Sequence, residues 1–304
     1  MERMKELIRL LNEAAKAYYQ ESREIMPNYE YDRLYDELEE LERKTGITLS
    51  NSPTIRVGYE VLSDLPKEKH PKKMLSLDKT KDVGALAAWL GSQEGVLSWK
   101  LDGLTIVLTY EEGKLAKAVT RGNGEIGEVI TSNARTFENL PLAIDFKGEL
   151  VLRGEAVISY ADFEKINDEI TDEGAKYKNP RNLCSGSVRQ LNNEITAQRH
   201  VQFFAFSLVS ADGVKFKTRN EQFDWLTERG FQVVEHVSVN AKTISDAVSA
   251  FEAKIADNPV PSDGLVLSYN DIEYGRSLGE TAKFPRDSIA FKWQDEIKEN
   301  TLRE

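Results

Sequence analysis

The chain has 304 residues, 40% of them hydrophobic and 30% charged, and a formal net charge of −11. At roughly 150 residues per domain this is room for two folded units, and no run reaches the ~18 apolar residues that a membrane-spanning helix needs. The single cysteine, Cys184, excludes an intrachain disulfide framework and a zinc site built from four cysteines of this chain. The acidic balance counts against a tight, independent grip on nucleic-acid phosphates, which calls for a basic surface. The charged start, Met1-Glu2-Arg3-Met4-Lys5-Glu6, has no apolar segment after it, so a cytoplasmic protein without membrane contact is expected.

The first predicted element is an amphipathic helix over residues 2–20, with Leu7, Ile8, Leu10, Leu11, Ala14, Ala15 and Tyr18 on a helical period. A second fits residues 29–44, where Tyr31, Leu34, Tyr35, Leu38 and Leu41 share a face, and Asn28 is placed to cap it after Pro27. Such a pair can scarcely bury a core alone. Residues 1–50 are therefore expected as a small helical unit, 51–73 as a polar, Pro-containing linker, and 74–304 as the main domain. In the main domain strands are expected at 95–100, 104–110, 115–120, 149–158, 201–209, 231–237, 264–269 and 288–293. Helices are expected near 126–137, 160–169, 181–191, 219–229 and 243–256. Short strands mixed with helices indicate an α+β fold.

Several motifs carry candidate chemistry. Lys100-Leu101-Asp102-Gly103 lies between two strand-like runs, Val96-Leu97-Ser98-Trp99 and Leu104–Tyr110. A lysine held at a strand end is a candidate covalent nucleophile, although the same letters fit a hairpin turn with a solvated lysine. Arg121-Gly122-Asn123-Gly124-Glu125-Ile126-Gly127-Glu128 would either let backbone N–H groups approach a ligand or form a plain strand-to-helix loop. Arg153-Gly154-Glu155 interrupts an apolar strand, which is costly unless the charges are paired or used, or lie on an exposed face. Asn179-Pro180-Arg181-Asn182 opens a helix containing Ser185, Gly186, Ser187 and Arg189, with Pro180 suited to its first turn. Cys184 in that helix reads as an inert apolar filler. Asp263-Gly264 repeats the turn-before-strand pattern, and Lys292 points opposite to Phe291 and Trp293 by the strand period, toward solvent or a phosphate.

In this order the motifs resemble the nucleotidyltransferase superfamily of DNA ligases and capping enzymes, and more closely the bacterial NAD-dependent DNA ligases. Met74-Leu75-Ser76-Leu77-Asp78, Thr120-Arg121-Gly122, Thr131-Ser132-Asn133 and Gly186-Ser187-Val188-Arg189-Gln190-Leu191 are similar to that family's blocks. Tyr18-Tyr19 and Glu30-Tyr31-Asp32-Arg33-Leu34 resemble its NMN-binding module. The resemblance implies an ATP-grasp-like nucleotidyltransferase domain built on antiparallel sheet, preceded by a small α-helical hairpin domain. It implies that Lys100, with Asp102, takes AMP from NAD in the presence of Mg2+ and releases NMN, without metal-ligating protein residues. Ser76, Leu77, Ser98, Leu101, Arg121, Glu155, Arg181 and Lys292 would hold the AMP half, with Glu155 on the ribose and Lys292 near the α-phosphate. Tyr18, Tyr19, Asn28, Tyr31 and Asp32 would form the NMN surface, and Arg189 would touch DNA. Nicked duplex DNA is the implied partner of the full-length enzyme, weakly bound by this part, and a monomer is expected.

Five positions depart from the family pattern. Ser98 stands where a glutamate usually contacts adenine, and Ser268 where a phosphate-binding lysine is usual. Asn28, Asn123 and Val129 each replace an aspartate. Ser98 and Ser268 keep open a catalytically weakened, ligase-like nucleotide-binding protein. An ATP- or GTP-using nucleotidyltransferase is the other alternative, disfavoured by the tyrosine-rich hairpin, since a triphosphate has no nicotinamide to bind.

Overall fold

The computed structural model describes residues 1–21, 25–55 and 64–293; the side chains of residues 16–21, 28, 29 and 32 lie outside that description. Helices α1 (Glu2–Glu21) and α2 (Asn28–Thr45) pack through Met4, Leu7, Ile8, Leu11, Leu34 and Leu38, the stripe expected from their periodicity. Asn28 is the first residue of α2 and not its cap. Pro27 holds the extended N-cap conformation (φ −60°, ψ 143°), and no side chain caps the helix there.

The chain then forms β1 (Thr48–Leu49), β2 (Lys67–Lys69), β3 (Asp78–Thr80), α3 (Val83–Leu90) and β4 (Gly95–Leu101). Next come β5 (Leu104–Glu111), β6 (Lys114–Thr120), β7 (Ile126–Glu128), α4 (Thr131–Ala134), β8 (Pro141–Ala143) and β9 (Leu150–Val157). Helices α5 (Tyr160–Glu169), α6 (Pro180–Val188) and α7 (Asn193–Ala197) lead to β10 (Gln202–Ala211) and α8 (Arg219–Glu228). The last described elements are β11 (His236–Val239), α9 (Ile244–Ala253), β12 (Ser262–Tyr269), α10 (Ile272–Ser277) and β13 (Ser288–Phe291).

These strands make a six-stranded antiparallel sheet, β1-β8-β6-β5-β9-β10, and a five-stranded sheet, β11-β4-β12-β13-β3, antiparallel except for the edge pair β13–β3. Through β1 the helical pair is joined to the first sheet, and β2 pairs with β7, so part of the expected linker is strand. Period-2 alternation sorts the faces. Ile106, Leu108 and Tyr110 of β5 and Leu150, Leu152 and Ala156 of β9 enter one core. Leu97, Trp99, Leu265, Leu267 and Phe291 enter a second, beneath α3 and α9. The opposite faces of both sheets are left to line a pocket.

Most expected elements stand within a few residues of their predicted bounds. The helix expected over 126–137 does not form as one piece: residues 126–128 are β7, held against β2, and only Thr131–Ala134 is helical. The strand expected at 231–237 lies later, at His236–Val239, and shares only two residues with the expected one, and α6 stops at Val188. Helix α3 escaped the pattern because Val-Gly-Ala-Leu-Ala-Ala-Trp-Leu is apolar on nearly every side. Among the described residues no helix is long and apolar enough to cross a membrane.

One glycine is dictated by close packing. A Cβ on Gly103 would lie 1.9 Å from the carbonyl oxygen of Ala156 on β9. Gly103→Ala is expected to destabilise the fold by about 3 kcal/mol, read as a lowered urea midpoint; an unchanged midpoint would mean that β9 can yield.

Candidate active site

The Lys100 motif is not a hairpin. Strand β4 pairs with β11 and β12 in the five-stranded sheet, whereas β5 pairs with β6 and β9 in the other. Asp102-Gly103 is thus the point where the chain passes between sheets, fixed by the Asp102 N–H donating to Pro261 O at 2.8 Å. The crossing places Lys100 in the wall of a cavity of about 680 Å3 lined by residues of both sheets.

Asp263 organises the charged end of this cavity. Its Oδ1 accepts from Lys100 Nζ at 2.8 Å and its Oδ2 from Lys292 Nζ at 2.9 Å. Burial works to raise the Asp263 pKa, but the two ammonium groups outweigh it and hold the carboxylate below its ordinary range. Gly264 follows because a Cβ there would meet Phe291 O at 2.1 Å. The second Asp-Gly, like the first, marks a place where two strands crowd.

Opposite this group, the first sheet supplies Glu155. It sits across from Thr105 in the β5–β9 register, accepting the Thr105 hydroxyl at 2.8 Å and the Gly103 N–H at 3.1 Å. Burial pushes its carboxyl up to about 7, against the opposing pull of those two hydrogen bonds and the Lys100 and Arg181 charges. Arg181, at the start of α6, donates to Asp102 Oδ1 at 2.8 Å. Asn179 caps α6 through the Asn182 N–H, with Pro180 in the first turn as expected. Arg121 Nη2 donates to Ser76 Oγ at 3.1 Å. Arg153 also lines the cavity; its Nε is buried without a hydrogen-bond partner, and burial followed by the nearby Arg121 lowers its pKa.

Glu155 gives the fold a specific pH dependence. Its folded-state pKa of about 7 lies above the ordinary 4.5, so the folded chain holds the proton more tightly than the unfolded one. This contribution to stability is present below pH 4.5 and is lost as pH rises from there to about 7. The Tm difference between Glu155→Gln and the parent is expected to shift in favour of the variant between pH 5 and pH 8; a constant difference would place the parent's titration elsewhere.

Ser76, Leu77, Ser98, Lys100, Leu101, Asp102, Arg121, Glu155, Arg181 and Lys292 all line the cavity, from segments spread over more than two hundred residues. Lys292 turns into it while Phe291 and Trp293 join the core side, as the strand period required. Arg189 lies apart, beside a smaller recess with Leu65, Ser185, Gly186 and Leu191, and its Nη2 donates to Glu128 Oε1 at 2.9 Å. Tyr31 is stacked on Tyr35 in α2, ring centroids 6.3 Å apart, and is not part of the cavity wall. The side chains of Tyr18, Tyr19, Asn28 and Asp32 lie outside the described residues. Cys184 is buried and donates to Ala156 O at 3.2 Å; burial raises its thiol pKa well above the usual range.

Asp263 and Arg153 were not among the expected site residues. The signals were present: Asp263-Gly264 repeats Asp102-Gly103, and Arg153 shares its strand interruption with Glu155. Among the described residues no cluster of three or more His, Cys, Asp or Glu side chains is placed to hold a metal ion.

Two sequence families match this architecture. The NAD-dependent DNA ligase adenylation domain matches residues 62–296, and the N-terminal NAD+-binding domain of DNA ligase-like proteins matches residues 1–58. The chain belongs to the NAD-dependent DNA ligase family. A DNA ligase of Ruminiclostridium cellulolyticum is 66% identical over 300 residues, covering 98% of this chain and 46% of that protein. A DNA ligase of Lachnoclostridium phytofermentans is 64% identical over 304 residues, covering 100% of this chain and 47% of that one. A DNA ligase of a Thermoanaerobacter species is 37% identical, over 99% of this chain and 47% of its own length. The chain thus spans about half the length of the curated relatives it matches. The first match takes in the helical pair and β1, the strand that joins the pair to the six-stranded sheet, and the second takes in the rest of both sheets.

Proposed function

We propose that this chain is the self-adenylating half of a DNA ligase, in which Lys100 accepts AMP from NAD. The observation that carries this reading is the Lys100–Asp263–Lys292 arrangement at one end of the cavity, facing Glu155. The Lys100 amine attacks the α-phosphorus, forming an N–P bond. The bond from that phosphorus to the bridging oxygen breaks, its electron pair leaves on NMN, and the amine proton passes to solvent. Lys292, released from its share of Asp263, meets the negative charge growing on the phosphate, where a fixed cation lowers the barrier. Glu155, with its free acceptor capacity, takes a ribose hydroxyl, and Arg181 stands at the rim near ribose or phosphate. Arg153, a buried donor in the wall, fits an anionic or carbonyl-rich ligand and supports nucleotide binding here.

A divalent cation such as Mg2+ supplies additional positive charge to the phosphates when bound. The cavity carboxylates are already engaged, Asp102 by Arg181, Asp263 by two lysines and Glu155 by Gly103 and Thr105. That donor set fits an ion carried on the dinucleotide's own phosphates and water, not one caged by protein. The NMN half would be read by Tyr18, Tyr19, Asn28, Tyr31 and Asp32 of the helical pair, tyrosine rings suiting a cationic ring. Nicked duplex DNA is the substrate of the whole ligase, with Arg189 as a contact to it.

Intact mass of the purified chain after incubation with NAD and Mg2+, or with ATP and Mg2+, tests the reading. An AMP adduct from NAD alone is expected. Labelling from ATP would make the chain a triphosphate-using transferase, and no adduct from either would leave a nucleotide-binding protein without transfer activity.

A further inference from the structure

Behind the two cavity lysines, on the core face of the five-stranded sheet, lie two indoles. Side chains alternate along a strand, so Trp99 and Trp293 enter the core while their neighbours Lys100 and Lys292 enter the cavity. The indole centroids are 6.3 Å apart, and Trp99 meets Phe251 of α9 edge-on at 4.8 Å. One indole is anchored. The Trp99 Nε1–H donates to Glu235 Oε2 at 2.9 Å, and its backbone N–H donates to Glu235 O at 3.3 Å. Glu235 Oε1 in turn accepts Lys254 Nζ at 2.5 Å. The Lys254 ammonium lowers the Glu235 pKa against the effect of burial, and the Trp99 N–H adds to that, so the acceptor is a carboxylate. Trp293 Nε1, by contrast, is buried without a hydrogen-bond partner.

The place of this anchor on β4 gives it a consequence for Lys100. The paired register of β11 and β4 ends at His236 opposite Ser98, and the Trp99 N–H bond to Glu235 O lies just beyond it. Lys100 is paired on the β12 side alone, opposite Gly264, which has no side chain to buttress it. Two residues later the chain leaves the sheet at Asp102-Gly103. A strand end held on one side can roll about its own axis, and a roll swings the side chains of both faces together. Fixing the indole on one face therefore fixes the direction of the lysine on the other.

We propose that Glu235 is a positioning residue for Lys100, acting through Trp99. The proposal rests on the adenylation reading above for what Lys100 does. Glu235 is not part of the cavity wall, so its loss leaves NAD binding intact and slows transfer, which needs the amine aligned on phosphorus. The Glu235–Lys254 pair is about half exposed on both sides, 47% and 56%, so the fold draws little stability from it.

Adduct formation from NAD, followed by intact mass in single turnover at several NAD concentrations, tests this on the whole chain. Glu235→Ala is expected to lower the limiting rate about tenfold while the half-saturating NAD concentration stays within about twofold. Glu235→Gln, whose amide oxygen still accepts the indole N–H, is expected to stay within about threefold of the parent, as is Lys254→Met, which removes only the outer partner. Trp99→Phe keeps a ring and removes the donor, so it should match Glu235→Ala, and the double variant should be no slower than either single one. Thermal melting checks that each variant is folded at the assay temperature; should Glu235→Ala fail this check, Trp99→Phe carries the comparison. A parent-like limiting rate in Glu235→Ala, an equal loss in Glu235→Gln, or a raised half-saturation at unchanged limiting rate would each overturn the proposal. If the parent forms no adduct, the adenylation reading falls, and arylation of Lys100 by trinitrobenzenesulfonate, mapped by peptide mass, decides the positioning role. An amine loosened from Asp263 should then react about threefold faster in Glu235→Ala than in the parent, and equal rates would overturn the proposal as well.

Discussion

Lys100→Ala is expected to abolish the AMP adduct formed from NAD, to below detection by intact mass, with little change in fold. In the proposed reaction the Lys100 amine is the covalent acceptor, and Lys292 serves as a fixed cation on the phosphate, so removing Lys100 removes the group that forms the phosphoramidate. Stability should hold because the Lys100–Asp263 pair is partly solvent-accessible and Asp263 keeps Lys292 at 2.9 Å. Thermal melting of the variant beside its mass spectrum makes the comparison. An adduct persisting in a well-folded Lys100→Ala chain would move the acceptor to another residue.

The second large effect is expected at Lys292. Lys292→Met keeps most of the side-chain volume and removes the charge, and adduct formation under single-turnover conditions should slow by about 10²–10³, the scale for loss of one fixed stabiliser of transition-state charge. Two consequences act together. The phosphate loses a cation, and Asp263, no longer shared, binds the Lys100 ammonium alone and competes with the phosphate for it. The site has no lysine at position 268 to compensate: Ser268 is engaged with Ser288. A rate within threefold of the parent would make Lys292 a structural ion-pair partner of Asp263.

The residues that form the cavity were legible because each breaks a local rule. Lys100, Arg153-Gly154-Glu155 and Lys292 put charge into strands whose neighbours are apolar, which a core would not tolerate without use. Asp263 announced itself less clearly, since Asp-Gly also marks ordinary turns; its role appears only when β12 is placed between β4 and β13 and one carboxylate reaches two lysines. The helix expected over 126–137 failed for a related reason. Whether Ile126-Gly127-Glu128 is strand or helix is decided by β2, a partner nearly sixty residues earlier.

The sequence by itself determined the α+β class, the period-2 sorting of Lys292 from Phe291 and Trp293, and the family. These follow from local periodicity and from short motifs whose order in the chain carries information. Only the tertiary structure decided that Lys100-Leu101-Asp102-Gly103 is a crossover between sheets and not a hairpin, because strand pairing is a long-range choice that four letters do not contain. It alone brought Asp263 between Lys100 and Lys292 and aligned Ser98, Val266 and Ala290 in one row. Such contacts depend on register, and a shift of one residue would turn each of these side chains into the opposite face.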